Sequence, residues 1–462
     1  MWIWPARMDL QGDEKWLILM NFFPFLKKSL NSWAKSTGFI KRQRSLSARD
    51  FLVLMTIGQL GIKHPSLAAM VDAIKSRISR EALHQRFDES AVRYIQTCSQ
   101  YILKQRISQV VAIKAKLLKR FGRVMIADSS SWDVNPQLAG TFPGSGGSAS
   151  AANCKLQLLY EYKGGELSFF EITPGTRPDT NYTHQLSNHV QNKDLWLTDL
   201  GYFCLETFHN IDAKGGFFLS RFAVGTKLFD SNTGSVIELS RLLKSLSGNT
   251  YQFSVVMGSK KSTRISCRLI CLRVSEQVAN ERRRRLKKDA KKKGRTPSQL
   301  HLALCDWTLM VTNIPESWLP AEMVRPFYGL RWQIELLFKQ IKTVLRIHHT
   351  NTANVHRLQC EIYGKLIMAV FIHRIHSCFN GRLWNLCQRE VSMDKLYKRI
   401  QERAFIILQF ILTSFSKACD YLASEIPLII KNCVKTHQLS RKTSLERIEC
   451  DLRNHFNASK VA

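Results

Sequence analysis

The sequence predicts a mixed α/β protein with helical regions at both ends. Three observations carry this. Residues 45 to about 118 show apolar residues at helical spacing. From Arg123 short strand-like runs alternate with helical ones. Most of residues 357–462 is again helical and basic.

In the first region Ser47 and Ser66 are expected N-caps. Each precedes an apolar series: Phe51, Leu52 and Met55, then Leu67, Met70, Val71 and Ile74. SLAAMVDAIKSRISREALHQRF reads as two short helices, with Ser79 capping the second. That pair suits a helix-turn-helix DNA reader, and equally plain helical packing.

From Arg123, RVMIAD is a short buried strand ending in Asp128. KLQLLYEY and ELSFFEIT alternate as a hairpin does, with Lys163-Gly164-Gly165 as the turn. TFPGSGGSASAAN before them is a Gly/Ser-rich loop without phosphate-loop spacing. DTNYTHQLSNHV is expected to be helical. DLWLTDL is a strand carrying Asp199 at its end, followed by Gly201-Tyr202-Phe203. A helix and the strand GGFFLSRFAV come next. TYQFSVVMG, RISCRLICLRV and DWTLMVTNI are further strands. Between the last two lies RRRRLKKDAKKKGR, Arg282–Arg295, which reads as a solvated arm or as a phosphate contact. Helix resumes near Pro320.

Composition narrows the function. The chain has 462 residues, 45% of them hydrophobic and 10% aromatic, so it is a folded protein with a sizeable core. Lys and Arg number 68 against 36 Asp and Glu, a formal net charge of +32. Such a surplus calls for a polyanionic partner, most simply a nucleic acid. The twelve cysteines are scattered, with no Cys-x-x-Cys, as expected of reduced thiols in a cytoplasmic protein. Trp16–Leu26 is apolar but is interrupted by Asn21 and Pro24 and preceded by Asp9, Asp13 and Glu14, a poor signal peptide. No segment reaches the ~20 apolar residues of a membrane span, so no membrane partner is expected. Met8 and Met20 are alternative starts to Met1.

The chemistry concentrates in YGLRWQIELLFKQIK. Tyr328, Arg331, Glu335 and Lys342 stand at i, i+3, i+7 and i+14, within a sector of roughly 60° on one continuous helix. Leu330, Ile334, Leu337, Phe338, Ile341 and Leu345 form the adjoining apolar stripe. Glu335 alone could be an ion-pair partner of Arg331, and an aspartate at a strand end is commonly a turn former or cap. Together, Asp128, Asp199 and Glu335 are three carboxylates that would repel unless a cation bound among them. Hard oxygen donors favour Mg²⁺, with Mn²⁺ as a substitute. Two such ions ~3.5–4 Å apart suit in-line phosphoryl displacement.

These segments resemble the DDE transposases of bacterial insertion sequences, in particular the IS-four family, defined by a Tyr-(2)-Arg-(3)-Glu-(6)-Lys signature. Tyr328, Arg331, Glu335 and Lys342 match it throughout. VMIADSS around Asp128 and LTDLGYF around Asp199 resemble its two aspartate regions. The resemblance spans about residues 45–375. It implies a ribonuclease-H-like catalytic core with Asp128, Asp199 and Glu335 as catalytic, metal-holding triad, and a β-rich insertion between the second aspartate and the glutamate. It implies that Tyr328, Arg331 and Lys342 contact the backbone of the element end. Trp307 stands at the spacing of a family tryptophan on which a flipped base stacks, and could equally be a buried strand residue. Trp332 matches a second family tryptophan.

The expected organisation is a helical, DNA-binding region over 1–118 and a catalytic domain over 119–375 with an insertion at about 226–310. A helical region over 376–462 would serve DNA contact or oligomerisation. The expected function is a cytoplasmic DNA transposase acting, as a dimer on DNA, on terminal inverted repeats and target DNA. The rivals are a structure-specific nuclease on the same core and a non-catalytic DNA-binding regulator.

Overall fold

A computed structural model describes residues 29–42, 45–62, 66–74, 78–104, 116–146, 149–350, 352–387 and 390–435. The apolar opening at Trp16–Leu26, the alternative starts and the end of the basic C-terminal region from 436 lie outside the described residues. The chain forms two compact units. One comprises described residues 29–104, 129–177 and 335–435; the other comprises 116–128 and 178–334.

The first unit is mainly helical. Ser47, Ser66 and Ser79 cap helices as expected, their hydroxyls accepting from the backbone N–H of Asp50, Ala69 and Ala82 at 3.1, 3.2 and 3.1 Å. The helices Leu67–Ile74 and Arg80–His84 form the expected pair, with 75–77 between them outside the described residues. The long helices are Glu89–Lys104, Val355–Cys387, Met393–Thr413 and Phe415–Asn432. Two glycines let backbones meet. A Cβ on Gly61 would lie 2.7 Å from the Phe405 nitrogen, and one on Gly364 2.0 Å from the Met55 carbonyl oxygen.

Strand β1 (Val124–Asp133) belongs to both units through its two halves. In the first unit, 129–133 is followed by the antiparallel hairpin of β2 (Asn153–Glu161) and β3 (Glu166–Pro174). Its turn is the expected one. Gly165 has φ +70°, and the Gly164 N–H donates to the Glu161 carboxylate at 2.5 Å.

The second unit carries the sheet order β1-β4-β5-β9-β8-β7-β6. β1, β4 (Leu195–Thr198) and β5 (Phe217–Arg221) are parallel, in register Ala127↔Thr198↔Ser220. β4 is buried along its whole length, as a central parallel strand must be. Phe208, from the helix Leu205–Ala213, stacks on Phe218 with ring centroids 4.5 Å apart. The remaining strands are β6 (Leu228–Asp230), β7 (Thr250–Met257), β8 (Ile265–Arg273) and β9 (Trp307–Thr312), all antiparallel to their neighbours. These four strands lie between Asp199 and Glu335 in the chain. β9 also pairs with β5, Leu219↔Thr312, so hydrogen bonding runs on from the parallel strands into the antiparallel ones. The run Arg282–Arg295, expected as a solvated arm or a phosphate contact, lies largely in a helix, Glu276–Lys292.

Candidate active site

The parallel strands explain why two aspartates far apart in sequence are neighbours. Ala127 and Thr198 are register partners, so Asp128 and Asp199, one residue on, stand side by side at the strands' carboxyl ends. Parallel strand spacing puts their backbones ~4.8 Å apart. Ser220 is the next partner across, so Arg221 continues the row. The pleat turns all three to the same face. Sequence reading missed Arg221, although the rule that singled out the aspartates, a polar residue at a strand's carboxyl end, applies to it equally.

Arg331 and Tyr328 reach this row within the same unit. The Arg331 Nη1 donates to an Asp128 carboxylate oxygen at 2.9 Å, and both side chains are 17% exposed. The Tyr328 hydroxyl donates to the Thr198 carbonyl at 3.0 Å and lies 3.5 Å from Asp199 Oδ1. Burial pushes the phenol's pKa up, and the Asp199 and Asp128 carboxylates push the same way. The Arg331 and Arg221 guanidiniums pull it down. Tyr328 is therefore a fixed hydrogen-bond donor at neutral pH.

The signature does not lie on one continuous helix. A helix Ala321–Tyr328, with Pro326 inside it, passes into a 3₁₀ turn Gly329–Arg331 before the helix Trp332–Thr343 begins. The tighter winding places residues three apart on one side, so Tyr328 and Arg331 still share a face. Glu335 lies in the first turn of the last helix and is half-buried. It and Lys342 belong to the first unit. There the Lys342 ammonium donates to the Ser131 carbonyl at 3.1 Å and lies 6.0 Å from the Trp132 ring centroid. Burial lowers the Lys342 pKa. Among the described residues no group of three or more His, Cys, Asp or Glu is gathered closely enough to hold a metal ion. Asp128 and Asp199 nevertheless have the chemistry for a hard divalent cation: adjacent, partly buried carboxylates at the open end of parallel strands.

The two tryptophans differ. Trp332 is 55% exposed. Trp307 opens β9 and is 4% exposed, with the Arg273 guanidinium 4.9 Å over its ring and Tyr251 edge-on at 6.0 Å. A cavity of about 310 Å³ lies beside it, lined among others by Arg221, Phe222, Arg282 and His301.

At the ends of adjacent parallel strands, then, two aspartates are met by an arginine and a tyrosine of the same unit. The sequence profile of the transposase DDE domain matches residues 119–371. The chain belongs to that family: it is a DNA transposase of the insertion-sequence class. Divalent-metal dependence goes with the family. The chain is 30% identical to the transposase of insertion sequence element IS231B from Bacillus thuringiensis subsp. berliner, over 90% of this chain and 91% of that one. It is also 30% identical to the IS231C transposase of the same organism, over 93% and 94%. It is 28% identical to the IS1151 transposase of Clostridium perfringens, over 80% and 82%. A solved piggyBac transposase synaptic complex with hairpin DNA aligns over 93% of this chain and 88% of that one, with 13% identity and a TM-score of 0.46. No described helix is long and apolar enough to cross a membrane.

Proposed function

We propose that this transposase binds the terminal inverted repeats of its element, hydrolyses a strand at each end and joins the freed 3′-hydroxyl to target DNA. The observation that carries this reading is the row Asp128, Asp199, Arg221 at three register-matched strand ends, engaged by Arg331 and Tyr328. A ribonuclease-H-like core is supported by the hairpin β2–β3 in one unit and the parallel trio β1, β4, β5 in the other, with β1 common to both. On this reading residues 1–118 bind DNA, 119–375 form the catalytic domain with its insertion, and 376–462 serve DNA contact or self-association.

Asp128, Asp199 and Glu335 would hold the divalent ions, Mg²⁺ or in its place Mn²⁺. When bound, these supply Lewis acidity for activating the attacking hydroxyl and stabilising the leaving oxygen. The chain's own groups do the rest. Arg331 offers a planar fork of donors that matches phosphate oxygens, and is held beside Asp128 until a phosphate competes for it. Tyr328 stays protonated and orients Asp199. Lys342 adds positive charge for the backbone. Trp332 offers an exposed ring for base stacking, worth ~1–3 kcal/mol per base. Trp307 would accept a flipped base only after Arg273 or another neighbour yields a face. Two ends must be handled together, so two copies act on one DNA. The protein works in the cytoplasm, where the DNA lies.

The test incubates the protein with labelled element ends, a target plasmid and Mg²⁺. Joined products are expected. Nicked ends without joining would make it a nuclease, and binding without either product a regulator.

A further inference from the structure

The basic helix Glu276–Lys292 has two faces with different fates. Ala279, Arg282, Arg283, Leu286 and Ala290 recur at helical spacing and are buried or half-buried. Through this face the helix is fastened to the rest of its unit. Arg282 donates to the Trp307 carbonyl at 3.0 Å and the Thr308 hydroxyl at 3.1 Å, and Arg283 pairs with Asp306. Its C-terminal end is closed by Gly294 at φ +60°. The Arg295 N–H donates to the Ala290 carbonyl at 2.9 Å and the Gly294 N–H to the Lys291 carbonyl at 3.2 Å.

The opposite face carries Arg284, Lys287, Lys288, Lys291 and Lys292, all exposed. They fan over roughly 140° of the helix. None has a side-chain hydrogen bond or ion pair with a described residue. Glu281, an acid on this same side, is taken by Arg285. Arg284 and Lys288, Lys287 and Lys291, and Lys288 and Lys292 are like charges at i and i+4, a spacing that works against the helix. Apart from the favourable place of Lys291 and Lys292 in the last turn, the helix gains little from this stripe, yet it is anchored and closed so that the stripe is held.

We propose that the outer face of this helix is a rail for one phosphate strand of duplex DNA, read without regard to sequence. This rests on the transposase reading and names a surface outside the aspartate row. From Arg284 to Lys292 the helix rises ~12 Å. One DNA strand presents a phosphate about every 3.4 Å of axis but winds around it, so its phosphates are about twice as far apart along the strand and the rail covers about two to three. Four of the five cations are lysines, point charges suited to phosphate rather than to the edge of a base. The anchors on Trp307 and Thr308 fix that strand relative to the start of β9.

The test uses the full chain with Arg284, Lys287, Lys288 and Lys291 all changed to Gln, and a milder Lys287→Gln, Lys291→Gln double variant. Binding is followed by fluorescence anisotropy from about 50 to about 200 mM salt, on an element-end duplex and on a random-sequence duplex of equal length. The slope of log affinity against log salt should fall by about 0.9 for each phosphate no longer neutralised, equally on both duplexes and in proportion to the charges removed. Unchanged slopes in both variants would overturn the rail. So would a loss confined to the element-end duplex, or tighter binding of polyglutamate than of DNA. A wild-type chain that fails to join ends while the variants still lose slope would sink the transposition reading and leave the rail standing.

Discussion

The parallel strand ends and the long helix Val355–Cys387 both concentrate polar groups in apolar surroundings, and they resolve them in opposite ways. At the strand ends Asp128 and Asp199 stay partly open and Arg221 is exposed, with Arg331 bonded to Asp128 and the Tyr328 hydroxyl close to Asp199. In the helix, Glu361, Lys365 and His373 are shut in at 2%, 4% and 2% exposure. Glu361 accepts from Arg357 at 2.7 Å. The Lys365 ammonium donates at 2.9 Å to the carbonyl of Arg346, whose φ is +49°. Burial pushes the Glu361 pKa up, with Arg357 and Lys365 pulling it down. Burial pushes Lys365 down to about 8 against the pull of Glu361. Closed networks of this kind fix structure, because every partner is internal. The row at the strand ends is instead only partly buried. On the proposed function, the difference separates charge buried for folding from charge left accessible for chemistry.

The sharpest way to break the comparison is to truncate each carboxylate in turn. Asp128→Ala, Asp199→Ala or Glu335→Ala should each remove several kcal/mol of transition-state stabilisation, on the order of 10³-fold in end cleavage. End binding and thermal stability should stay near wild type. Normal cleavage by any one of these variants would take that residue out of the site. Glu361→Ala should do the reverse. It strands Lys365 and Arg357, and should cost about 3 kcal/mol in denaturant unfolding, with cleavage by the folded fraction preserved.

The buried histidine gives a pH signature. His373 donates through Nδ1 to the Gly165 carbonyl, 3.1 Å away, between the rings of Tyr160 and Tyr397. Burial lowers its pKa to about 3. The unfolded chain takes up this proton near pH 6.5 and the folded chain does not. Stability is therefore full above pH 6.5 and is lost as pH falls toward 3, by about 2 kcal/mol between pH 6.5 and 5. Urea midpoints across that range should show the slope in wild type and a flatter one in His373→Gln. The smallest effect is expected of Tyr328→Phe. Removing the bond to the Thr198 carbonyl and the approach to Asp199 should cost about 1 kcal/mol, close to a fivefold drop in cleavage rate, with the unfolding midpoint moved less than by Glu361→Ala.

Much of the fold was legible because its signals are local. Ser47, Ser66 and Ser79 cap where hydroxyl chemistry demands, and the Lys163-Gly164-Gly165 turn joins two alternating runs. The helix Glu276–Lys292 was not legible as a helix, because its inward stripe is made of Ala279, Leu286 and two arginines rather than a run of apolar residues. Only its partners, the Trp307 carbonyl and Asp306, show why Arg282 and Arg283 face inward. The break at Gly329–Arg331 also escaped, since a single 3₁₀ turn leaves the apolar spacing almost intact.

The sequence by itself determined the chemistry available: a Tyr-Arg-Glu-Lys signature, two aspartates closing β-patterned runs, and a cationic surplus suited to DNA. Tertiary structure alone decided which of these groups meet. The pairing Ala127↔Thr198↔Ser220 sets Asp128, Asp199 and Arg221 in one row, and a one-residue slip of either strand would turn its group to the other face. Register between strands dozens of residues apart is fixed by packing of the whole sheet, and no local pattern encodes it.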